Sequence, residues 1–405
     1  MAKRFTNAQW DKIEEELLKA PAKFGMPEGG REESLVFASF NIRKLNTTRN
    51  RKRELDFMAR FGARCDLLAI QEVQDHLSGL QHLRARMDER VASAGAFGMV
   101  VSDITGRVPG KRGLAERLAF IYRRGRVHRA DMSSDLTVDR TGVLENFARH
   151  EDAITEAWKD YQTALDEFNE GTRKKKPKIK LPAFLTFART PHVTAFEAPG
   201  AQGAKPISFT AVNAHLLFGA QVERDAEFRA LLSWMINRLK SEKRMVSSNF
   251  ILLGDLNLNF DNPKTDRPKI EKFIRNQNAE VFGDANTRRI YFPFIDKRTP
   301  TGKVIRSNAR ETETFDQIAF LHGKDEKRLP NDRWRSTLGS GPDSFDYNVF
   351  RFTDLFAKAL KNVAFATLSN GDRKDFIAQF EHSVSDHMPI WVRIPRPGFS
   401  APPDA

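Results

Sequence analysis

The chain has 405 residues, 40% of them hydrophobic and 32 of them Phe, which excludes a disordered chain and allows one large α/β domain or two smaller ones. Its formal net charge of +13 favours a polyanionic partner, nucleic acid first and an acidic membrane surface second. Nowhere does an apolar run approach the ~20 residues of a membrane-spanning helix.

In chain order, Lys3 and Arg4 precede no apolar stretch, so no signal peptide is expected and the expected location is cytoplasmic. Thr6 or Asn7 can cap a helix running to Lys19, with Trp10, Ile13, Leu17 and Leu18 on one side. Pro21 and Pro27-Glu28-Gly29-Gly30 end it, so 1–33 reads as an appended docking helix with a linker. A main domain is expected over 34–397, followed by a tail at 398–405. It opens with the strand Leu35–Phe40 leading into Asn41-Ile42-Arg43, then a basic amphipathic helix from Arg49 to Phe61. Cys65, the single cysteine, excludes an internal disulfide and points to a reducing compartment; at the head of an apolar run it reads as a small core residue. Leu67–Ile70 is a buried strand ending in Gln71-Glu72, and a helix follows around Leu77–Val91. Glu116-Arg117 precede the strand Leu118–Tyr122. Further strands are expected at Phe184–Phe187, leading to Arg189, at Val193–Phe196, and at Ile207–Val212, ending in Asn213-Ala214-His215.

A helix from Glu223 to Lys240 leads to Phe250-Ile251-Leu252-Leu253-Gly254-Asp255-Leu256-Asn257. The four apolar residues read as a strand buried on both faces, and Gly254 allows a sharp approach before the carboxylate and amide. Late in the chain the order inverts: Asp316 precedes Ile318–Leu321, and Asp386-His387 precede Ile390–Val392. In antiparallel neighbours one strand's end lies beside the next strand's start, so these polar groups can share one rim. The expected fold is α/β, a four-layer sandwich of two packed mixed sheets flanked by helices.

Two insertions interrupt it. Over roughly 140–182, Ile154, Trp158, Tyr161, Leu165 and Phe168 form a helical stripe that runs into Arg173-Lys174-Lys175-Lys176-Pro177-Lys178-Ile179-Lys180. Two readings stand: a packed helix with a solvated loop, or an arm carrying a phosphate-binding strip beside the cleft. The helix could instead offer a protein-partner surface. The second insertion, roughly 322–346, is rich in Arg, Asp and Ser and reads as a surface loop.

Hydrolysing a phosphodiester needs a cation against the phosphoryl oxygens, a base for water and donors for the leaving side. Glu72, Asp255, Asp386, Asn41 and Asn257 supply hard oxygen ligands suited to Mg²⁺, and two histidines can serve as acid and base. Spacing alone assigns neither histidine its carboxylate.

Seven segments, Ser39-Phe40-Asn41-Ile42-Arg43, Ile70-Gln71-Glu72-Val73, Glu116-Arg117, Asn213-Ala214-His215, Gly254-Asp255-Leu256-Asn257, Phe315-Asp316-Gln317-Ile318 and Ser385-Asp386-His387, resemble in order the motifs of the endonuclease/exonuclease/phosphatase superfamily. The presence of Glu116 and His215 makes the chain look like its deoxyribonuclease I branch rather than exonuclease III. The resemblance implies that Glu72 is the principal metal ligand, with Asn41, Asp255 and Asp386 around the same site, Mg²⁺ as the cofactor and Mn²⁺ or Ca²⁺ as alternatives. It implies that His215 oriented by Glu116, and His387 oriented by Asp316, form an acid–base pair. Asn257 and Arg189 would hold the scissile phosphate and Arg43 would reach toward the strand. The implied activity is an endonuclease cutting DNA, with RNA next, to 5′-phosphate products. Lys174, Lys175 and Lys176 would add non-specific phosphate contacts.

Some positions depart from that branch. Gln74 stands where deoxyribonuclease I has an Arg, Leu114 where it has a Tyr, and Phe315 where a Tyr is common. The first two belong to its minor-groove grip, so they argue against duplex nicking of that kind. Two further functions stay open: a phosphoinositide or sphingomyelin phosphatase or phosphodiesterase, and a non-catalytic nucleic-acid binder.

Overall fold

The computed structural model describes residues 4–29, 32–46, 51–74, 76–106, 115–136, 138, 140–178, 184, 186–219, 221–240, 247–282, 289–296, 298, 304–323, 329–330 and 346–399. Its first half contains α1 (Asn7–Lys19), β1 (Ser34–Leu45), α2 (Lys52–Gly62), β2 (Leu67–Gln74), α3 (Ser78–Arg90), β3 (Phe97–Val101), β4 (Glu116–Arg123), β5 (His128–Asp135), α4 (Arg140–Arg149), α5 (Glu151–Asn169), β6 (His192–Ala198) and β7 (Ile207–His215). The second contains α6 (Gln221–Lys240), β8 (Phe250–Asp255), α7 (Asp266–Phe282), β9 (Ile290–Tyr291), β10 (Asp316–Leu321), β11 (Asp346–Val349), α8 (Phe352–Lys361), α9 (Asn370–Ser383) and β12 (Ile390–Pro395). Among the described residues no helix is long and apolar enough to cross a membrane.

The strands form two six-stranded mixed sheets, ordered β11-β12-β1-β2-β4-β3 and β5-β6-β7-β8-β10-β9. Only β1–β2 and β7–β8 pair in parallel among these neighbours; the rest are antiparallel. The α/β sandwich expected from the sequence is the observed architecture. Phenylalanines interleave between the sheets: Phe37 lies 5.2 Å from Phe209, and Phe120 lies 5.5 Å from Phe196, ring centre to ring centre.

The unbroken apolar run of β8 follows from burial on both faces. Ile251 and Leu253 enter the core between the sheets, whereas Phe250 and Leu252 pack with Leu231, Leu232 and Met235 of α6. This period of two carries the polar residues with it. Asp255 continues the inward series 251, 253; His215 continues Phe209 and Ala211; Asp316 precedes Ile318 and Phe320. All three therefore point to the same side of the sheet, at its rim.

Several expectations change. Helix α1 has the expected bounds, with Thr6 and Gln9 closing a capping box, but it is not an appendage. Trp10, Ile13 and Leu17 are buried, and the Trp10 ring sits 5.6 Å from Phe57 and 5.4 Å from Phe356, inside the main core. Residues 184 and 186–190 are irregular, and β6 begins only at His192. Strand β5, HRADMSSD, lacks apolar alternation because it is a half-exposed edge, which hides it from pattern reading. The first insertion is two helices, broken at His150. Its stripe is mostly unburied: Ile154 alone is buried, and Trp158 is 51% exposed. Lys174, Lys175 and Lys176 are exposed, while Ile179 and Lys180 lie outside the described residues, as do Leu114 and most of the 322–346 insertion. Of that insertion's end, Asp346 starts β11. Cys65 is buried, which pushes its thiol up and fits the core reading.

Gly254 faces Ala214 across the parallel β7–β8 pair with φ +153°, and a Cβ there would lie 1.9 Å from the Ala214 carbonyl oxygen. No flexible side chain can yield there. Gly254→Ala is expected to cost about 2–4 kcal/mol in urea unfolding, the range for backbone strain plus overpacking. A loss under ~0.5 kcal/mol would show that the strands can part without penalty.

Candidate active site

Backbone irregularities aim the first side chains. The β1–β2 register shifts between Asn41 and Leu45, and the β2–β4 register shifts between Ile70 and Val73. Between them Glu72 adopts φ +60°, a left-handed conformation costing roughly 1–2 kcal/mol outside Gly. Such bulges re-aim a side chain at a sheet's rim. Asn257 is also left-handed, at φ +52°, which Asn tolerates, and its N–H donates to Asp255 Oδ1 at 3.0 Å.

The centre of the site is an alternating row of acids and imidazoles. Glu116 Oε1 lies 2.6 Å from His215 Nδ1, and His215 Nε2 lies 3.6 Å from Asp255 Oδ2. On the other side of Asp255, His387 Nε2 lies 3.5 Å from the same oxygen, and His387 Nδ1 lies 2.9 Å from Asp316 Oδ2. Each histidine is thus paired with the carboxylate that the resemblance assigned it. The row crosses the interface between sheets: Glu116 belongs to β4, while His215, Asp255 and Asp316 belong to β7, β8 and β10. Asn41 Nδ2 donates to Asp255 Oδ2 at 3.0 Å from the opposite sheet.

Burial and charge compete along this row. For His387, burial disfavours the imidazolium, but Asp316 and then Asp255 outweigh it and hold the group well above its ordinary value. For His215, burial likewise opposes protonation and Glu116 overcomes it, so this imidazole is also raised. Burial pushes Asp255 up, yet the two flanking imidazoles bring it below its usual range. Asp316 is raised, mainly by burial. The site therefore favours a charged Asp255 between two protonated imidazoles.

Of the expected metal residues, Glu72 and Asp255 fall into two separate acid–imidazole groups, Asn41 hydrogen-bonds Asp255, and Asp386 belongs to neither group. Glu72 lies with Glu116 and His215, their ligand atoms within 4.8 Å of one another, and Asp255, Asp316 and His387 form a second such group. Glu72 Oε2 also accepts the Lys44 N–H at 3.1 Å. Asp386 carries an ion pair, 3.3 Å from Arg43 Nη1. The donor set fits a hard cation. Asn41 Oδ1 and Asp386 Oδ1 are buried acceptors without a hydrogen-bond partner, and the amide of Asn41 rests on the Asp255 carboxylate.

The other expected contacts are engaged within the protein. Arg189 is buried, with Nε 2.8 Å from Glu116 Oε1 though off the hydrogen-bond line, and Nη1 donating to the Leu216 carbonyl at 3.1 Å. Asn257 Nδ2 donates to the same carbonyl at 2.7 Å. Arg43 Nη1 lies 3.0 Å from Glu381 as well as beside Asp386. These contacts orient Glu116, the 216–218 turn and Asp386.

Pattern reading missed a supporting layer. Gln71 Nε2 donates to Asn213 Oδ1 at 2.7 Å and to Ser39 Oγ at 3.2 Å, a polar seam joining the sheets beneath Asn41 and His215. Glu227 of α6 accepts the N–H groups of Ala188 at 2.6 Å and Leu217 at 2.7 Å, and Arg224 Nη1 donates to the Asn257 carbonyl at 2.7 Å. Ser385 Oγ donates to the Asn41 carbonyl at 2.6 Å and accepts from His387 N at 3.1 Å, fastening the Asp386-His387 turn to β1. Gln71, Asn213 and Ser385 stood inside the quoted motifs; Arg224 and Glu227 had only an amphipathic helix as context.

Metal-free protein is expected to lose stability as pH rises. Both imidazoles are raised, so their contribution is complete below the unfolded value of about 6.5 and is lost as pH climbs through the folded values. Asp316→Asn removes the largest group raising His387. In chelator, the His387 ring resonances should then titrate at lower pH than in wild type, and the alkaline fall in urea midpoint should flatten. An unchanged His387 titration would mean that Asp316 does not set its charge.

No protein-family model and no curated protein sequence matches this chain. Solved structures do. The catalytic domain of human Nocturnin with bound sulfate aligns over 89% of this chain and 94% of its own, at 11% identity and TM-score 0.45. An endonuclease/exonuclease/phosphatase family protein from Leptotrichia buccalis aligns over 89% and 99%, at 13% identity and TM-score 0.43. A Bacteroides thetaiotaomicron mannosyl-6-phosphatase aligns over 89% and 99%, at 14% identity and TM-score 0.42. A Bacteroides thetaiotaomicron endonuclease/exonuclease/phosphatase family protein is also among the structures this chain is similar to, over 90% of this chain and 98% of its own, at 13% identity and TM-score 0.41.

Proposed function

We propose that this protein is a metal-dependent phosphodiesterase that hydrolyses nucleic acid, DNA before RNA, leaving 5′-phosphate ends. The observation that carries this reading is the buried row Glu116, His215, Asp255, His387 and Asp316, with Asn41 and Glu72 at its edge. Two carboxylate-backed imidazoles on either side of one carboxylate suit acid–base work on an ester of a polyanion.

Glu72, Asn41, Asp255 and Asp386 would hold the cation, which would supply charge neutralisation at the phosphoryl oxygens. Asp255, kept ionised between the imidazoles, would accept a proton from the attacking water as its oxygen bonds to phosphorus. His387 and His215, both raised above the ordinary imidazole value by their carboxylates, would face the phosphate oxygens, and one of them would deliver a proton to the departing 3′ oxygen as its bond to phosphorus breaks. Glu116 and Asp316 would fix the two rings, and Arg189 would fix Glu116. Asn257 would act chiefly by holding the turn that follows His215.

A panel of plasmid DNA, single-stranded RNA, a soluble phosphoinositide and sphingomyelin, each with Mg²⁺ and with chelator, tests the reading. Nucleic acid should be cut, chelator should stop it, and Glu72→Ala should lower the rate by at least about 10²–10³-fold while DNA binding persists. Hydrolysis of a lipid alone would move the protein to the phosphatase alternative, and equal rates in wild type and Glu72→Ala would expose a contaminant.

The exposed strip offers a separate test. Replacing Lys174, Lys175 and Lys176 with Ala is expected to reduce the slope of log binding constant against log salt by up to about 3 for duplex DNA, one for each phosphate that these lysines would neutralise. An identical slope would make the strip a solvated loop.

A further inference from the structure

Next to the acid–imidazole row stands an aromatic step that the proposed chemistry does not use. The Phe315 ring lies 6.3 Å from the His387 ring, and the Phe218 ring lies 6.4 Å from Phe315, nearly edge-on at 76°. Phe218 is 70% exposed, and Val222, in the first turn of α6, is 68% exposed. An isolated exposed Phe needs no explanation, but this one is held in place. In the turn before it, the Leu216 N–H donates to the Asp255 carbonyl, and the Leu216 carbonyl accepts from Arg189 and Asn257. The next N–H, of Leu217, is held at 2.7 Å by the buried Glu227 carboxylate. Four hydrogen bonds thus fix the two residues that lead into Phe218, beside the site.

The cations near the row are differently disposed. Arg43 and Arg189 each lie against carboxylates, and Arg306 pairs with Asp261 at 2.6 Å. An exposed flat ring beside a phosphate-cleaving centre is suited to a partner with its own π face.

Resting on the nucleic-acid reading above, we infer that Phe218, backed by Phe315, is a stacking platform for an unpaired base next to the scissile phosphate. The preferred substrate is then single-stranded or frayed nucleic acid. A continuous duplex keeps its base faces covered by their neighbours and cannot use the step. A lipid surface is the less suitable occupant, because Phe218 and Val222 are the only exposed large apolar side chains among the described residues of 216–223, and Glu223 follows directly. Anchoring in a bilayer needs a broader apolar face and is opposed by acidic groups.

The full-length protein is assayed with Mg²⁺ on end-labelled oligonucleotides of one sequence: single-stranded, fully duplex, and single-stranded with abasic residues flanking the cut. Wild type should cleave the single strand at least about tenfold more efficiently than the duplex, and Phe218→Ala should raise KM for the single strand about five- to tenfold. Phe218→Trp should restore it. Base removal and Phe218→Ala should be strongly non-additive, since both delete the same stacking interaction. Equal preference for duplex, or a Phe218→Ala penalty of the same size on the abasic strand, overturns the inference. So does sphingomyelin-vesicle binding that Phe218→Ala abolishes while oligonucleotide binding is unaffected. If wild type cuts no oligonucleotide, the hydrolytic reading has failed. Fluorescence anisotropy of the labelled single strand in chelator then still decides the platform, through a weaker dissociation constant for Phe218→Ala or none.

Discussion

Burying five ionisable groups in one line is the constraint around which this molecule is built. Glu116, His215, Asp255 and Asp316 are almost wholly removed from solvent and His387 largely so. An isolated buried charge costs several kcal/mol. Alternation of sign is what makes the arrangement tolerable: each imidazole has a carboxylate on both sides, and Asp255 has an imidazole on both sides. Removing any member takes from each of its neighbours one of the opposite charges that face it, so the row ties folding to the contacts made at the site.

The row exists only because two sheets meet. Glu116 and Asn41 come from one, and His215, Asp255 and Asp316 from the other. The Ser39–Gln71–Asn213 seam carries hydrogen bonds across the interface immediately below, and Asn213 Nδ2 also donates to the Ile70 and Ala119 carbonyls. Asn213 thereby satisfies groups on two strands of the facing sheet. Interleaved phenylalanines fill the rest of the space and fix the separation. At the polar rim, the left-handed backbone of Glu72 and the close contact of Gly254 with Ala214 mark where the chain departs from regular pairing.

The outer parts follow a different logic. Glu227, Arg224 and Ser385 do not point into the row; they hold the turns that carry Arg189, Leu216–Phe218, Asn257 and His387. Helices α4 and α5 contribute almost nothing to the core, and their apolar stripe stays largely at the surface. Helix α1, by contrast, is part of the core despite the Pro- and Gly-rich stretch after it, because Trp10 inserts among Phe57 and Phe356.

Local pattern was enough to reveal the strands buried on both faces, the inverted order of polar groups before β10 and β12, and hence a two-sheet sandwich with a shared rim. Those features are written in unbroken apolar runs and in residues adjacent to them, so no long-range information is needed. Half-exposed β5, the two-residue β9 and the short sheet-edge strands β3 and β11 were not read from the sequence. Which carboxylate backs which histidine came from resemblance and not from spacing, since Glu116 and His215 are 99 positions apart and Asp316 and His387 are 71 apart. Tertiary structure alone decided that one Asp255 oxygen faces both imidazoles, that Arg43 and Arg189 lie against acids, and that Phe218 stands exposed beside Phe315. These depend on the register between strands and the packing of two sheets, and a side chain's partner across that gap leaves no periodic trace in the chain that bears it.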